Sequence, residues 1–308
     1  MLDFVGMRRV IDLECYAPAE LSDPDYHAIE RGRPGTPFPD ALERPEGYGF
    51  ANYEHVFTGS PTGRPPGEAA PDDGGMEQLV ADMDRAGIEA ALLVGTRNSA
   101  IARIHRDYPG RFLTLAVLNP LDGMRAVREL ERLVREDGAM GIRVNPLYTC
   151  VPANDRRYYP LYAKCVELDV PVRIYTSMNY ANDRPYDLGH PRYLDDVAVD
   201  FPELRIVAGL SGWPWVADMV GLLRRHPNLY CDTAAHRPRH VATKGSGWEQ
   251  FLQFGNTLLQ DKIMVGLSRA LMGRSFEELI AEYESLPLKE TVVEKWLYHN
   301  AARFFRLG

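Results

Sequence analysis

The sequence predicts an α/β fold, a closed (β/α)8 TIM barrel with a long Pro/Gly-rich insertion after strand 1, on three observations. Apolar runs of strand length alternate with amphipathic helical stretches from Met76 to the end, the pattern of a parallel sheet covered by helices on its outer face. Eight such strands can be counted in 308 residues, and a closed barrel uses roughly 250, leaving the remainder for the insertion. No G-x-G-x-x-G and no G-x-x-x-x-G-K-[ST] follows any strand, so the runner-up, a doubly wound open sheet, lacks the phosphate cradle that often accompanies it.

Residues 10–16 (VIDLECY) are apolar and β-prone enough for the first, buried strand. Residues 17–75 then hold ten of the 23 prolines and nine of the 26 glycines, which breaks regular structure. Tyr48, Phe50, Tyr53 and Phe57, with His55 among them, could pack this stretch across a pocket mouth as a lid; a surface insertion without function is the other reading. Helix 76–87 leads into strand 89–95, helix 99–109 into strand 112–120, and helix 124–136 into strand 139–146. The alternation continues with helix 159–169, strand 170–177, helix 192–202 and strand 204–212. Helix 215–227, strand 229–235, helix 247–255 and strand 262–268 complete the eight, followed by helices 276–286 and 292–305. Residues 1–308 are therefore expected to form one domain, with 17–75 as an inserted lid-like region.

A net charge of −8 repels phosphate backbones and anionic membrane surfaces, so nucleic acid and membrane are not expected partners. Neither a long apolar span nor a basic-then-apolar leader is visible, and a soluble, cytoplasmic protein is expected. Cys15, Cys150, Cys165 and Cys231 stand far apart, consistent with reduced thiols and not with a cysteine zinc site.

Several segments together, VIDLECYAP, LVADMDRAGIEAALLV, YPGRFLTLAVLNP, GIRVNP, VPVRIYTS, VDFPELRIVAGLSGWPWV, HPNLYCDTA, DKIMVGL and HNAARFF, resemble the amidohydrolase-related barrels. That family includes aminocarboxymuconate-semialdehyde decarboxylase, resorcylate decarboxylases and some lactonases, and the resemblance covers about residues 8–16 and 76–308. It implies a small-molecule substrate and a homodimer. It also implies a divalent metal held by His-x-His at strand one, a His on each of strands five and six, and an Asp on strand eight. Those positions fall here on Glu14 and Tyr16, Tyr175, Leu210 and Ser268, a set that cannot hold zinc or manganese tightly. No metal and no other cofactor is therefore expected.

Strand alternation groups Asp12, Glu14 and Tyr16 inward and Ile11, Leu13 and Cys15 outward. The same alternation groups Arg173, Tyr175 and Ser177 on strand five. An arginine in a barrel lumen needs an acidic partner, and Asp12 or Glu14 is the expected one, with Arg173 filling part of the vacated metal region as a plug or as fixed charge for a substrate anion. Arg143 and Asn145 alternate on GIRVNP, a strand that resembles the corresponding segment of metal-independent lactonases, which bind carboxylated substrates with arginines. Asp232 ends strand seven, and His236, in the loop beyond it on the active-site side, is the candidate titrating acid or base. Trp213 and Trp215 follow strand six, where rigid aromatics can wall a pocket. His105, His226 and His299 belong with the outer helices.

Three functions remain open. The first is a metal-independent lyase or decarboxylase, or a hydrolase or lactonase, acting on a small carboxylated or phenolic molecule. In it Glu14, Tyr16, Tyr175, Asp232 and His236 are catalytic, and Arg143, Asn145, Arg173, Trp213, Trp215 and Ser268 bind substrate. The second is an inactive barrel that binds a small molecule or a protein. The third is a metal-dependent hydrolase with unorthodox ligands drawn from Glu14, His27, His55, His190 and His236.

Overall fold

The computed structural model describes residues 8–22, 74–180 and 184–307. The lid expectation, with His27, Tyr48, Phe50, Tyr53, His55 and Phe57, lies outside those residues. Eight parallel strands form the barrel. They are β1 (Val10–Tyr16), β2 (Ile88–Val94), β3 (Phe112–Thr114, resuming as Ala116–Val117), β4 (Ile142–Val144), β5 (Val172–Tyr175), β6 (Ile206–Gly209), β7 (Leu229–Asp232) and β8 (Ile263–Met264). Each pairs in parallel with the next. Closure comes from β8 back to β1: Leu13 N donates to Val265 O at 2.9 Å and Ser268 N to Glu14 O at 3.1 Å. The ring therefore has no free edge, as a barrel requires.

The outer layer comprises α1 (Gly75–Ala86), α2 (Ile101–Asp107), α3 (Met124–Arg132), α4 (Tyr159–Glu167), α5 (Arg192–Asp200), α6 (Val216–Arg225), α7 (Glu249–Gly255), α8 (Phe276–Glu284), α9 (Glu290–Glu294) and α10 (Asn300–Phe305). These follow the sequence-predicted helices, because their apolar residues recur at helical spacing and pack on the strands' outward side chains. Val10, Leu93, Ile142, Ile174, Ala208 and Cys231 share one buried cluster with Leu79, Leu130, Leu161 and Met219 of the helices. Gly87 ends α1 in the left-handed region, φ 72°, a conformation that costs glycine no Cβ clash.

A second cluster fills the barrel itself. Ile11 and Leu13 of β1 meet Ala90, Leu92, Leu113, Val207 and Met264 from around the ring, together with Tyr298, Ala301, Phe304 and Phe305. The C-terminal helical segment closes the N-terminal end of the barrel: Arg205, just before β6, donates to Phe304 O, and Asn300 Nδ2 donates to Ile263 O at 2.7 Å. With that end plugged by apolar side chains, polar chemistry is confined to the other end, where the strands' C-termini lie.

The simple alternation expected for β1 is corrected here. Register shifts between Val10 and Ile11 and again between Asp12 and Cys15 break the two-residue period. Ile11 and Leu13 consequently join the interior cluster instead of facing outward, while Cys15 packs in the outer layer as expected.

Candidate active site

The C-terminal strand ends carry a buried ionic cluster. Arg143 on β4 and Arg173 on β5 are direct register partners, so two guanidinium groups project side by side. Glu14 lies between them, with Oε2 2.7 Å from Arg173 Nη2 and Oε1 3.8 Å from Arg143 Nη2. Asp232 grips Arg173 from the other side, accepting from Nε at 2.6 Å and from Nη2 at 3.2 Å. Burial alone would lower the pKa of Arg173, but the charges of Asp232 and Glu14 outweigh it and hold the guanidinium above its ordinary value. The sequence expectation of Asp12 or Glu14 as partner thus finds Glu14, and the bidentate partner it missed is Asp232.

Gly209 makes this geometry possible. A Cβ there would stand 3.1 Å from both Cζ and Nη2 of Arg173, so the guanidinium lies flat over a glycine on the neighbouring strand. Asp232 Oδ1 also accepts the amides of Leu210 and Ala234, each at 3.1 Å. With its acceptor sites so occupied, Asp232 positions Arg173 and ties down the barrel mouth; the arrangement leaves little for it to do as a base.

Asp12 is fully buried and lies on the seam between β1 and β8. Its Oδ1 accepts Leu267 N at 2.7 Å and Glu14 N at 3.0 Å, while Oδ2 has no hydrogen-bond partner among the described residues. Burial pushes its pKa up to about 7, with Glu14 and Asp232 adding to the shift and the two amides opposing it. The carboxyl is therefore poised near neutrality beside a charge-balanced cluster.

The remaining sequence-predicted residues divide between this cluster's rim and its scaffold. Tyr175 is buried with Leu147, Leu210, Ala234 and Ala235 above the cluster, and its hydroxyl donates to Met178 O at 3.0 Å. Tyr16 is half-buried at the end of β1. Ser268 is buried, and its Oγ accepts the Ala235 amide at 2.8 Å. Asn145 caps the one-turn helix Pro146–Thr149 by accepting Leu147 N at 3.1 Å, which is a local structural use of that side chain.

His236 lies 4.8 Å from Trp248 and 6.2 Å from Trp213, whose rings stack on each other at 5.8 Å. Burial lowers its pKa to about 4, against smaller opposing effects of Leu210 and Asp232. The expectation of titration near neutrality is corrected accordingly: the imidazole is neutral at pH 7, and its buried Nε2 has no hydrogen-bond partner among the described residues. Trp215 belongs to a different aromatic group, 4.2 Å from His190 and 5.4 Å from Tyr186. Trp248, on the loop before α7, is the aromatic that sequence reasoning missed. His226 is structural as expected, with Nε2 2.5 Å from Asp195 Oδ1.

The donor set was tested against the metal that the family resemblance implies. Where a cation would need ligands, the Arg173 guanidinium spans Glu14 and Asp232, the Tyr175 hydroxyl serves a carbonyl, Leu210 has no donor and Ser268 Oγ accepts an amide. Both carboxylates are already engaged by guanidinium groups, and a phenol, an isobutyl group and a hydroxyl are poor ligands, so these residues do not fit a divalent ion. His190 and His236 sit in separate aromatic groups, and among the described residues no three His, Cys, Asp or Glu side chains are grouped to hold a metal.

Comparison with known proteins agrees with this architecture. A family model described as amidohydrolase matches residues 57–307. A 2-keto-4-carboxy-3-hexenedioate hydratase from Sphingobium sp. is 39% identical over 88 residues, 26% of each chain, so this chain spans only about a quarter of that relative. An uncharacterised TIM-barrel protein from Bordetella bronchiseptica superposes with a TM-score of 0.69 at 23% identity, covering 97% of this chain and 98% of its own. A 5-carboxyvanillate decarboxylase from Sphingomonas paucimobilis gives 0.65 at 17% identity, covering 97% and 99%. At these identities the two superpositions speak for the fold.

Proposed function

The chain belongs to the amidohydrolase family and is an enzyme of lyase or hydrolase type, and from that premise we propose that it acts on a small carboxylated or phenolic substrate without a metal. The observation that supports this reading is the Glu14–Arg173–Asp232 ion triad, in which a permanent guanidinium engages Glu14, one of the positions that the family resemblance gives to a metal ligand. Such a charge, fixed before substrate arrives, stabilises a developing oxyanion without reorganisation. The similarity to a hydratase named for a carboxy-hexenedioate supports a carboxylated substrate and a lyase reaction.

In this mechanism Arg143 anchors a substrate carboxylate by charge-assisted hydrogen bonds. Arg173 faces negative charge that builds as a carbon–carbon bond breaks or as water adds. Tyr16 donates a hydrogen bond to the same oxygen, or Tyr175 does once its hydroxyl turns from Met178 O. A proton is moved by Glu14, or by His236 acting as a neutral base. Asp232 is a positioning residue. The four free, buried cysteines support a cytoplasmic setting, and the homodimer rests on the family resemblance.

The test is turnover of a panel of hydroxylated aromatic acids and unsaturated di- and tricarboxylates. Product from at least one is expected, with about 10²-fold or greater loss in Tyr175→Phe or Arg143→Ala, on the scale set by removal of an oxyanion donor. Undiminished turnover in both folded variants contradicts the assignment of roles.

A further inference from the structure

Ser268 lies between the two groups read as proton carriers, Glu14 on β1 and His236 beyond β7. It follows β8 where the chain returns against β1, fully buried and in the left-handed region, φ 51°. Its amide donates to Glu14 O at 3.1 Å, and its Oγ accepts the Ala235 amide at 2.8 Å. One residue therefore touches both flanks of the site. Gly266 permits the close approach: a Cβ there would stand 2.7 Å from Ala234 Cβ and 2.9 Å from Ala234 Cα. Only a glycine lets the chain after β8 lie this tightly on the turn after β7.

That turn, Thr233–Ala234–Ala235–His236, is closed by His236 N donating to Thr233 O at 3.4 Å. Ala235 occupies its third position with φ 61°, a conformation that glycine takes without cost and alanine resists. Every other amide of the turn also has an acceptor. Thr233 N bonds Met264 O at 3.1 Å, Ala234 N bonds Asp232 Oδ1 at 3.1 Å, and Ala235 N bonds Ser268 Oγ. The Ser268 hydroxyl thus fixes the peptide plane from which Ala235 turns back, and a buried amide deprived of its acceptor would favour another turn. The turn delivers the His236 ring to Trp248, at 4.8 Å. Trp248 is itself buried and packs edge to face on Phe251 at 5.2 Å, so the ring meets a fixed wall.

We infer that Ser268 is a positioning residue that sets His236 relative to Glu14 through the Ala235 turn. Its hydroxyl serves the backbone, in place of the substrate contact expected from its position. The inference rests on the reading of Glu14 and His236 as proton carriers.

Histidine ring NMR on the full chain tests it, with turnover of the same substrate panel as the second readout. The His236 ring protons, assigned by their loss in His236→Gln, are expected to be displaced in wild type by the ring current of Trp248. Ser268→Ala removes the acceptor and keeps the amide bond to Glu14. It is expected to move those signals toward the position of an exposed histidine, to leave His105 and His226 in place, and to lower turnover by about 10²-fold, the scale of misplacing a group by about 1 Å. The double variant Ser268→Ala/His236→Gln is expected to be no slower than His236→Gln alone, because a residue acting through His236 then has nothing to act through. Should Ser268→Ala not fold, Ser268→Gly carries the same predictions, since φ 51° is open to glycine. Unmoved His236 signals in the folded variant, or losses that add in the double variant, overturn the positioning role and leave His236 as a proton carrier. Wild-type turnover in His236→Gln overturns His236 as a proton carrier and the positioning role with it.

Discussion

Asp12 stands where an ionised carboxylate is hard to keep, fully buried and close to Glu14 and Asp232. Its folded pKa, raised by burial to about 7, lies above the ordinary 3.8, so between these values the folded chain holds a proton that the unfolded chain has released. The stability from this group is present in full below about pH 4 and is lost as pH rises through about 7. His236 acts oppositely: its folded pKa is lowered to about 4 from 6.5, so its contribution is present above about pH 6.5 and is lost as pH falls toward 4. Asp12→Asn fixes the protonated form while keeping an acceptor for the Leu267 and Glu14 amides. Urea unfolding is expected to find the variant close to wild type near about pH 5 and more stable than wild type near about pH 9. A variant less stable than wild type at the higher pH contradicts an unpaired, proton-holding Asp12.

Strands decide which of these residues meet. The site was legible in the sequence wherever a charged residue stands in an apolar β run: Glu14, Arg143, Arg173 and Asp232 were all visible in that way, because a charge buried in a barrel needs a partner. Partner choice was not legible, since the irregular register of β1 undoes the alternation from which Ile11 and Leu13 were placed outside. Nor could periodicity reveal that Arg173 reaches Asp232, 59 residues away and two strands over. Gly209 was passed over although it ends β6; a glycine carries no charge to mark it. Gly209 yields the prediction at this scale. A methyl group placed 3.1 Å from a guanidinium held by Glu14 and Asp232 cannot be accommodated by moving that group freely. Gly209→Ala should cost about 1–3 kcal/mol by overpacking and should lower turnover by displacing Arg173. Wild-type stability and turnover in this variant would show that the guanidinium is free to move.

Across the whole molecule, eight strands, their helices and the closing segment follow from spacing of apolar residues alone, which is why the fold was the most legible property. The same barrel can carry many reactions, and what distinguishes this one is an interior in which arginines on neighbouring strands meet buried carboxylates. Two arginines and two carboxylates neutralise one another there, and breaking such a buried set costs about 3–5 kcal/mol, so the charge is a fixed part of the molecule. The most direct test of this account is elemental analysis of protein purified without chelator, repeated after incubation with manganese or zinc and dialysis. Far less than one metal per chain in both samples, with turnover insensitive to chelator, is the predicted result. About one tightly held metal per chain, and activity that falls when it is stripped, would contradict the account and return the centre of the barrel to a metal.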